Sequence, residues 1–223
     1  MPPEIARPDG VLFDLDGTFA DTASDLAFAL NETLRIHGRH PLPEQSIRPF
    51  VSHGGAALIR LGFRIGPDAP DFEPKRQDLL RIYEGNICRE SRVFPGLDDV
   101  LARLEHSGIP WGIVTNKPAW LTDPLIAALE MAERAASVVS GDTCANRKPH
   151  PEPILFACTR MGVAAGRCVY VGDAARDIEA GRAAGTATIA ALYGYILPDD
   201  EPASWTPDAF VDHPSELISL LGL

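Results

Sequence analysis

Two aspartates separated by one residue, Asp14 and Asp16, close an apolar run and lead into Gly17 and Thr18. In an extended segment residues i and i+2 point the same way, so both carboxylates can face one crevice. Carboxylates held that close repel. Repulsion separates their proton affinities and suits one to nucleophilic attack and the other to acid–base work. A cation is then required to offset the remaining charge. The same residues also suit a solvated turn after a strand, where Asp and Gly are common.

Three further groups sit in comparable places. Thr115, Asn116 and Lys117 follow the apolar run Trp111–Val114. They bring a hydroxyl and an amide to the start of a helix, where they can bind phosphate oxygens or cap the helix. Lys148 lies in Arg147-Lys148-Pro149-His150-Pro151, where two prolines set a turn ahead of a helix; it reads as an active-site cation or as a surface lysine. Asp173 and Asp177, after Val169–Gly172, are four apart at a helix start and share one face. They can complete a hard oxygen site for a metal ion or place favourable acid charge at a helix N-terminus.

These groups need strands that end together. Short buried runs at Gly10–Asp14, Trp111–Thr115, Cys168–Gly172 and Thr186–Leu192 read as strands, with weaker ones at Ser137–Ser140 and Ala209–Val211. Between them Leu97–His106, Pro118–Met131, Pro151–Met161 and Ala174–Ala184 carry helical periods. The alternation predicts an α/β fold with a Rossmann-like, doubly wound parallel sheet. One interval departs from it. Trp111 comes 97 positions after Asp14, whereas a crossover needs about a dozen residues. Helical patterns at Thr22–His37, Ala56–Phe63 and Phe72–Ile87 fill the gap. They predict an inserted all-helical domain over residues 20–90, with the core formed by 1–19 and 91–223. Such an insertion sits over the crevice at the strand ends.

The chain has 223 residues, 20 Lys and Arg against 31 Asp and Glu, and a net charge of −11. That length accommodates one large domain or two unequal ones. The acidic balance excludes a basic stripe for nucleic acid. Met1-Pro2-Pro3-Glu4 lacks the pattern of a secretory leader, and no apolar run reaches the ~20 residues that span a bilayer. Cys88, Cys144, Cys158 and Cys168 form no metal-ligand pattern and read as reduced, mostly buried thiols. A cytoplasmic protein, monomeric or a weak homodimer, is the expectation.

The order Asp pair, Thr/Asn, Lys, Asp pair resembles the haloacid dehalogenase superfamily over nearly the whole chain, and the helical insertion is similar to its C1 cap. The resemblance implies Asp14 as nucleophile, Asp16 as general acid and then base, and Lys148 screening Asp14 from the phosphoryl group. It implies Mg²⁺ held by Asp14, the backbone carbonyl of Asp16 and Asp173, with Asp177 orienting a water or Lys148. Thr115 and Asn116 would bind the phosphoryl group of a small phosphorylated metabolite. Asp16 favours the phosphatase branch over the dehalogenases, which lack that acid. Arg48–Gly55 resembles the substrate loop of phosphoglycolate phosphatases, with Ser52, His53, Gly54 and Gly55 at the leaving group; a helix N-terminal turn and a solvent-exposed histidine are the plainer readings. Trp111–Pro118, Tyr193–Ile196 and Val211–Leu217 are similar to the N-acetylmuramic acid 6-phosphate phosphatases of cell-wall recycling. Two positions depart from the pattern: Phe19 where Leu is usual, and Ala174 where a hydrogen-bonding residue is usual. A phosphosugar mutase is the other enzymatic reading, and Thr18 tilts against it. A non-catalytic binding protein on the same scaffold is the third.

Overall fold

Gly10–Phe13 form β1, and all four residues are buried. The computed structural model describes residues 5–223; Met1–Glu4, the stretch on which the expectation about a leader rests, lie outside them. After β1 come β2 (Ala20–Asp21), α1 (Ala23–Ile36), α2 (Glu44–Ile47), a 3₁₀ turn at Arg48–His53, α3 (Gly54–Phe63), α4 (Phe72–Glu84) and β3 (Arg92–Val93). The chain continues through α5 (Leu97–His106), β4 (Trp111–Val114), α6 (Ala119–Ala128), β5 (Ser137–Val139) and α7 (Glu152–Met161). It ends with β6 (Cys168–Gly172), α8 (Ala175–Ala184), β7 (Ala187–Ala191), β8 (Ala209–Val211) and α9 (Glu216–Leu220).

Six strands form one parallel sheet in the order β5-β4-β1-β6-β7-β8. The chain builds outward from β1 to β4 and β5, then returns to build through β6, β7 and β8 on the other side. That reversal leaves a crevice at the carboxyl ends of β1, β4 and β6, the usual ligand position in such sheets. Alternating side chains explain why both faces are covered. Val11, Phe13, Trp111, Ile113, Val169 and Val171 pack with α5 and α9, while Leu12, Val114 and Tyr170 pack with α7 and α8. Near-continuous apolar strands follow from burial on both faces.

The helices between β2 and β3 form a second layer with its own core, including Leu30, Leu34, Ile47, Leu58, Ile59, Leu79 and Tyr83. Leu121 and Tyr195 join that core from the sheet side. β2 and β3 pair antiparallel, Ala20 with Val93 and Asp21 with Arg92, so the chain leaves and re-enters the sheet region through one narrow ribbon. Asp25 of α1 secures the return: its carboxylate accepts from Ser91 N at 3.0 Å and Ser91 Oγ at 2.6 Å. The strands follow the expected runs with ends shortened by a residue or so. α4 stops at Glu84 rather than Ile87, and α3 begins at Gly54, two residues before the expected start. Two-residue strands and the short 44–53 segment carry too few residues to show a period, so the pattern could not announce them.

Candidate active site

Asp14 follows directly on β1, whose Phe13 pairs with Val171 of β6 and with Ile113 of β4. Its carboxylate therefore stands at the reversal point of the sheet, and the residue is only 3% exposed. Leu15 N donates to Asp14 Oδ1 at 2.7 Å, and Lys148 Nζ lies 2.8 Å from the same oxygen. The ammonium also lies 2.8 Å from Asp177 Oδ1, and donates to Val114 O at 2.9 Å and the Tyr170 hydroxyl at 2.7 Å. A lysine buried this completely needs its backbone held. Asn116 does so: its Oδ1 accepts from Lys148 N at 3.0 Å and its Nδ2 donates to Lys148 O at 2.9 Å. The Asn116 carboxamide, expected at a phosphoryl group, is thereby committed to the Lys148 loop. What remains to it is a backbone N–H without a protein partner among the described residues.

Asp173 follows β6, and oxygens of Asp14, Asp173 and Asp177 lie within 4.8 Å of one another. Burial, and then the neighbouring Asp14 and Asp177, push the Asp173 carboxyl up to about 7. Burial and Asp177 raise Asp14 to about 6 against the pull of Lys148 and Arg176. Hard oxygen donors that resist ionisation for want of positive charge suit a metal ion. The Asp16 carboxylate turns away from this cluster, accepting from Thr22 Oγ1 at 2.7 Å and Lys117 Nζ at 2.8 Å. Its backbone carbonyl does not: Ser52 Oγ lies 2.9 Å from Asp16 O and 2.7 Å from Asp173 Oδ2. Carbonyl and carboxylate thus border the same spot.

Gly17 makes that approach possible. Its φ is +90°, and a Cβ there would overlap Asp173 Oδ2 and come within 2.8 Å of Ser52 Oγ. Gly17→Ala is expected to cost about 1–3 kcal/mol, the scale of a non-glycine residue forced into this backbone region. It should also blunt metal-induced stabilisation, because Asp173 must move. An unchanged urea midpoint together with an unchanged metal response would show that the turn tolerates a side chain.

Comparison with known proteins adds an independent observation. Residues 11–191 match the model of the haloacid dehalogenase-like hydrolases, a span running from β1 to β7. The chain belongs to that family. It is similar to the N-acetylmuramic acid 6-phosphate phosphatase of Pseudomonas aeruginosa, at 44% identity over 216 residues, 96% of this chain and 95% of that protein. It is equally similar, at 44% over 210 residues, to a phosphoglycolate phosphatase of Xanthomonas campestris pv. campestris, covering 94% of this chain and 95% of its relative. The crystal structure of a predicted phosphoglycolate phosphatase from Haemophilus somnus superposes with a TM-score of 0.84 at 25% identity, covering 96% of this chain and 98% of that one. This haloacid dehalogenase-like hydrolase is an enzyme of the phosphatase kind.

Elsewhere in the hydrolase, Thr115 directly follows β4; its N–H donates to Val139 O at 2.9 Å and its hydroxyl accepts from Lys117 N at 3.1 Å. Gly54 and Gly55 lie in the first turn of α3, as the plainer reading had it. His53 is exposed at the rim, where partial desolvation and Arg176 lower its pKa. Cys158 and Cys168 are buried, but Cys88 and Cys144 are only half-buried, and all four are free thiols. No helix among the described residues is long and apolar enough to cross a membrane.

Sequence reasoning assigned no part to several residues around the crevice. Lys117, with its side chain 6% exposed, pairs with Asp16 and lies 4.5 Å from the centroid of the Tyr83 ring. Tyr195 N donates to Asp173 Oδ2 at 2.9 Å, while its hydroxyl accepts from Thr22 N and donates to Asp21 Oδ1, both at 2.7 Å. The Asp21 carboxylate in turn takes both arms of Arg48 at 2.9 Å. None of these pairings has a sequence signal, since each joins residues many positions apart.

The raised carboxyl groups set a pH dependence. Between about pH 4 and pH 7 the folded protein binds protons at Asp14 and Asp173 that the unfolded chain releases. Their contribution to stability is present at low pH and lost as pH rises through 6 and 7. Asp173→Asn removes one such group while keeping an acceptor for Tyr195 N. In chelator, the variant is expected to gain on wild type by several degrees in Tm between pH 4 and 8. Added divalent metal should reverse the order at pH 8. A gap that does not vary with pH would contradict the assignment.

Proposed function

We propose that this hydrolase is a Mg²⁺-dependent phosphomonoesterase that releases inorganic phosphate from a small phosphorylated metabolite through an aspartyl-phosphate. The observation that carries this reading is the buried Asp14 carboxylate at the reversal point of the sheet, with Lys148 on one oxygen and Asp173 close by. Attack of Asp14 on phosphorus breaks the ester P–O bond and forms a new one to the carboxylate, which divides hydrolysis into two displacements. Asp16, whose carboxylate must first leave Lys117 and Thr22 and turn toward the crevice, gives a proton to the departing alkoxide, then takes one from the water that cleaves the acyl phosphate. Lys148 keeps Asp14 from repelling the phosphoryl dianion, and Thr115 with the Asn116 N–H offers hydrogen bonds to its oxygens.

Asp14, the Asp16 carbonyl and Asp173 would hold the Mg²⁺, with Asp177 bound to Lys148 instead. When bound, the ion supplies positive charge where negative charge accumulates on the transferring group. The helical layer of residues 20–90 serves as a cap, and its Ser52–Gly55 segment with His53 meets the leaving group. Within the family, the relatives point to two substrates, phosphoglycolate and N-acetylmuramic acid 6-phosphate. Phosphate release from these two and from common hexose phosphates, with Mg²⁺ and with chelator, tests the reading. Hydrolysis of either named ester tenfold or more above the hexose phosphates, lost in chelator, is the expected result. No phosphate release from any of them would overturn it.

A further inference from the structure

Three cations surround the Asp14 crevice, and two of them are spent within the protein. Lys148 has no exposed side chain and already meets Asp14, Asp177, Val114 O and the Tyr170 hydroxyl, more partners than an ammonium has protons. Lys117 is given to Asp16. Arg176, the second residue of α8, differs from both. Its Nη2 donates to Ser52 O at 2.8 Å, and the same nitrogen lies 3.8 Å from Asp14 Oδ2. That second distance is too long for a hydrogen bond. A guanidinium carries five N–H groups in a planar fork. Ser52 O is its one hydrogen-bond acceptor among the described residues.

We infer that Arg176 binds the phosphoryl group undergoing transfer, offering its unspent N–H groups beside Asp14 Oδ2, opposite the oxygen that Lys148 holds. This rests on the phosphatase reading above. The planar fork matches phosphate oxygens, and charge-assisted bonds of this kind are about twice as strong as neutral ones. The surroundings keep it charged, since Asp177, Asp14 and Asp173 oppose the effect of its burial. The bond to Ser52 O gives the site a second property. The same side chain that grips the phosphoryl group also holds the 48–53 segment of the helical layer over the crevice.

The test uses the full-length protein with saturating Mg²⁺ and inorganic phosphate as the probe, because phosphate has no leaving group. Calorimetric titration is carried out on wild type, Arg176→Gln and Arg176→Lys, alongside kcat and KM for p-nitrophenyl phosphate and for phosphoglycolate. Arg176→Gln is expected to weaken phosphate binding about tenfold or more. Arg176→Lys, which keeps the charge without the fork, should recover part of the loss and remains informative if the glutamine variant fails to fold. Phosphate affinity within twofold of wild type in a folded variant would overturn the inference. So would a change seen only as a higher KM for phosphoglycolate, which would assign the guanidinium to the leaving group. If wild type itself neither binds phosphate nor hydrolyses the aryl ester, the phosphatase reading falls and this inference with it.

Discussion

Asp14→Asn is expected to yield a folded protein whose turnover is lower by about 10⁴-fold or more, the scale of losing a nucleophile that acts within a unit. On the mechanism proposed above, an amide oxygen is too weak a nucleophile to form the acyl phosphate, so the first displacement is lost. The fold should survive, because the Asn oxygen can still accept from Leu15 N and Lys148. It should even gain in metal-free solution above pH 6. There wild-type Asp14, raised to about 6 by burial and by Asp177, carries an ionised carboxylate against its neighbours. Rapid-quench detection of acid-labile phosphoprotein, together with a Tm in chelator, separates the two effects. Substantial residual turnover by Asp14→Asn would remove this residue from the chemistry.

Lys148→Met acts on the same cluster from the other side and should damage both activity and stability. The substitution leaves Asp14 and Asp177 buried without their shared cation, and breaking a buried pair in this way costs about 3–5 kcal/mol. For a chain of this size that corresponds to a fall in Tm of about 10 °C. The loss should shrink as pH falls below about 6, because Asp14, raised to about 6 even against the pull of Lys148, takes up a proton more readily once that cation is gone. Arginine is a poor remedy, because a planar fork does not reproduce the compact ammonium that donates to Val114 O and the Tyr170 hydroxyl. Removing the second charge as well, in Lys148→Met with Asp177→Leu, should return part of the stability but none of the activity. Equal Tm values for wild type and Lys148→Met at pH 7 would show that the pair is not the cluster's main support.

Both expectations depend on features that differ in how they can be known. The parallel sheet was legible because its strands are buried on both faces and so read as apolar runs, and because amphipathic helices separate them. The helical layer was legible from the long interval after Asp14. Asp14, Lys148 and Asp173 could be singled out for a common reason: each follows or precedes a recognisable element, and parallel strands bring such ends together. Asn116 shows the limit. Its position after β4 was evident, but the direction of its carboxamide depends on the Lys148 loop, 32 residues further on.

The same limit explains Lys117, Tyr195 and Arg176. Each is an ordinary residue in sequence, and each gains its role from a partner on another element: Asp16, Asp173 and Ser52. Amino-acid pattern alone determined the layer architecture and which strand ends carry acids, because burial and periodicity are local properties of a chain. Which cation serves which carboxylate was decided only by the tertiary structure, because a buried charge must be matched by groups within a few ångströms, whatever their distance along the chain.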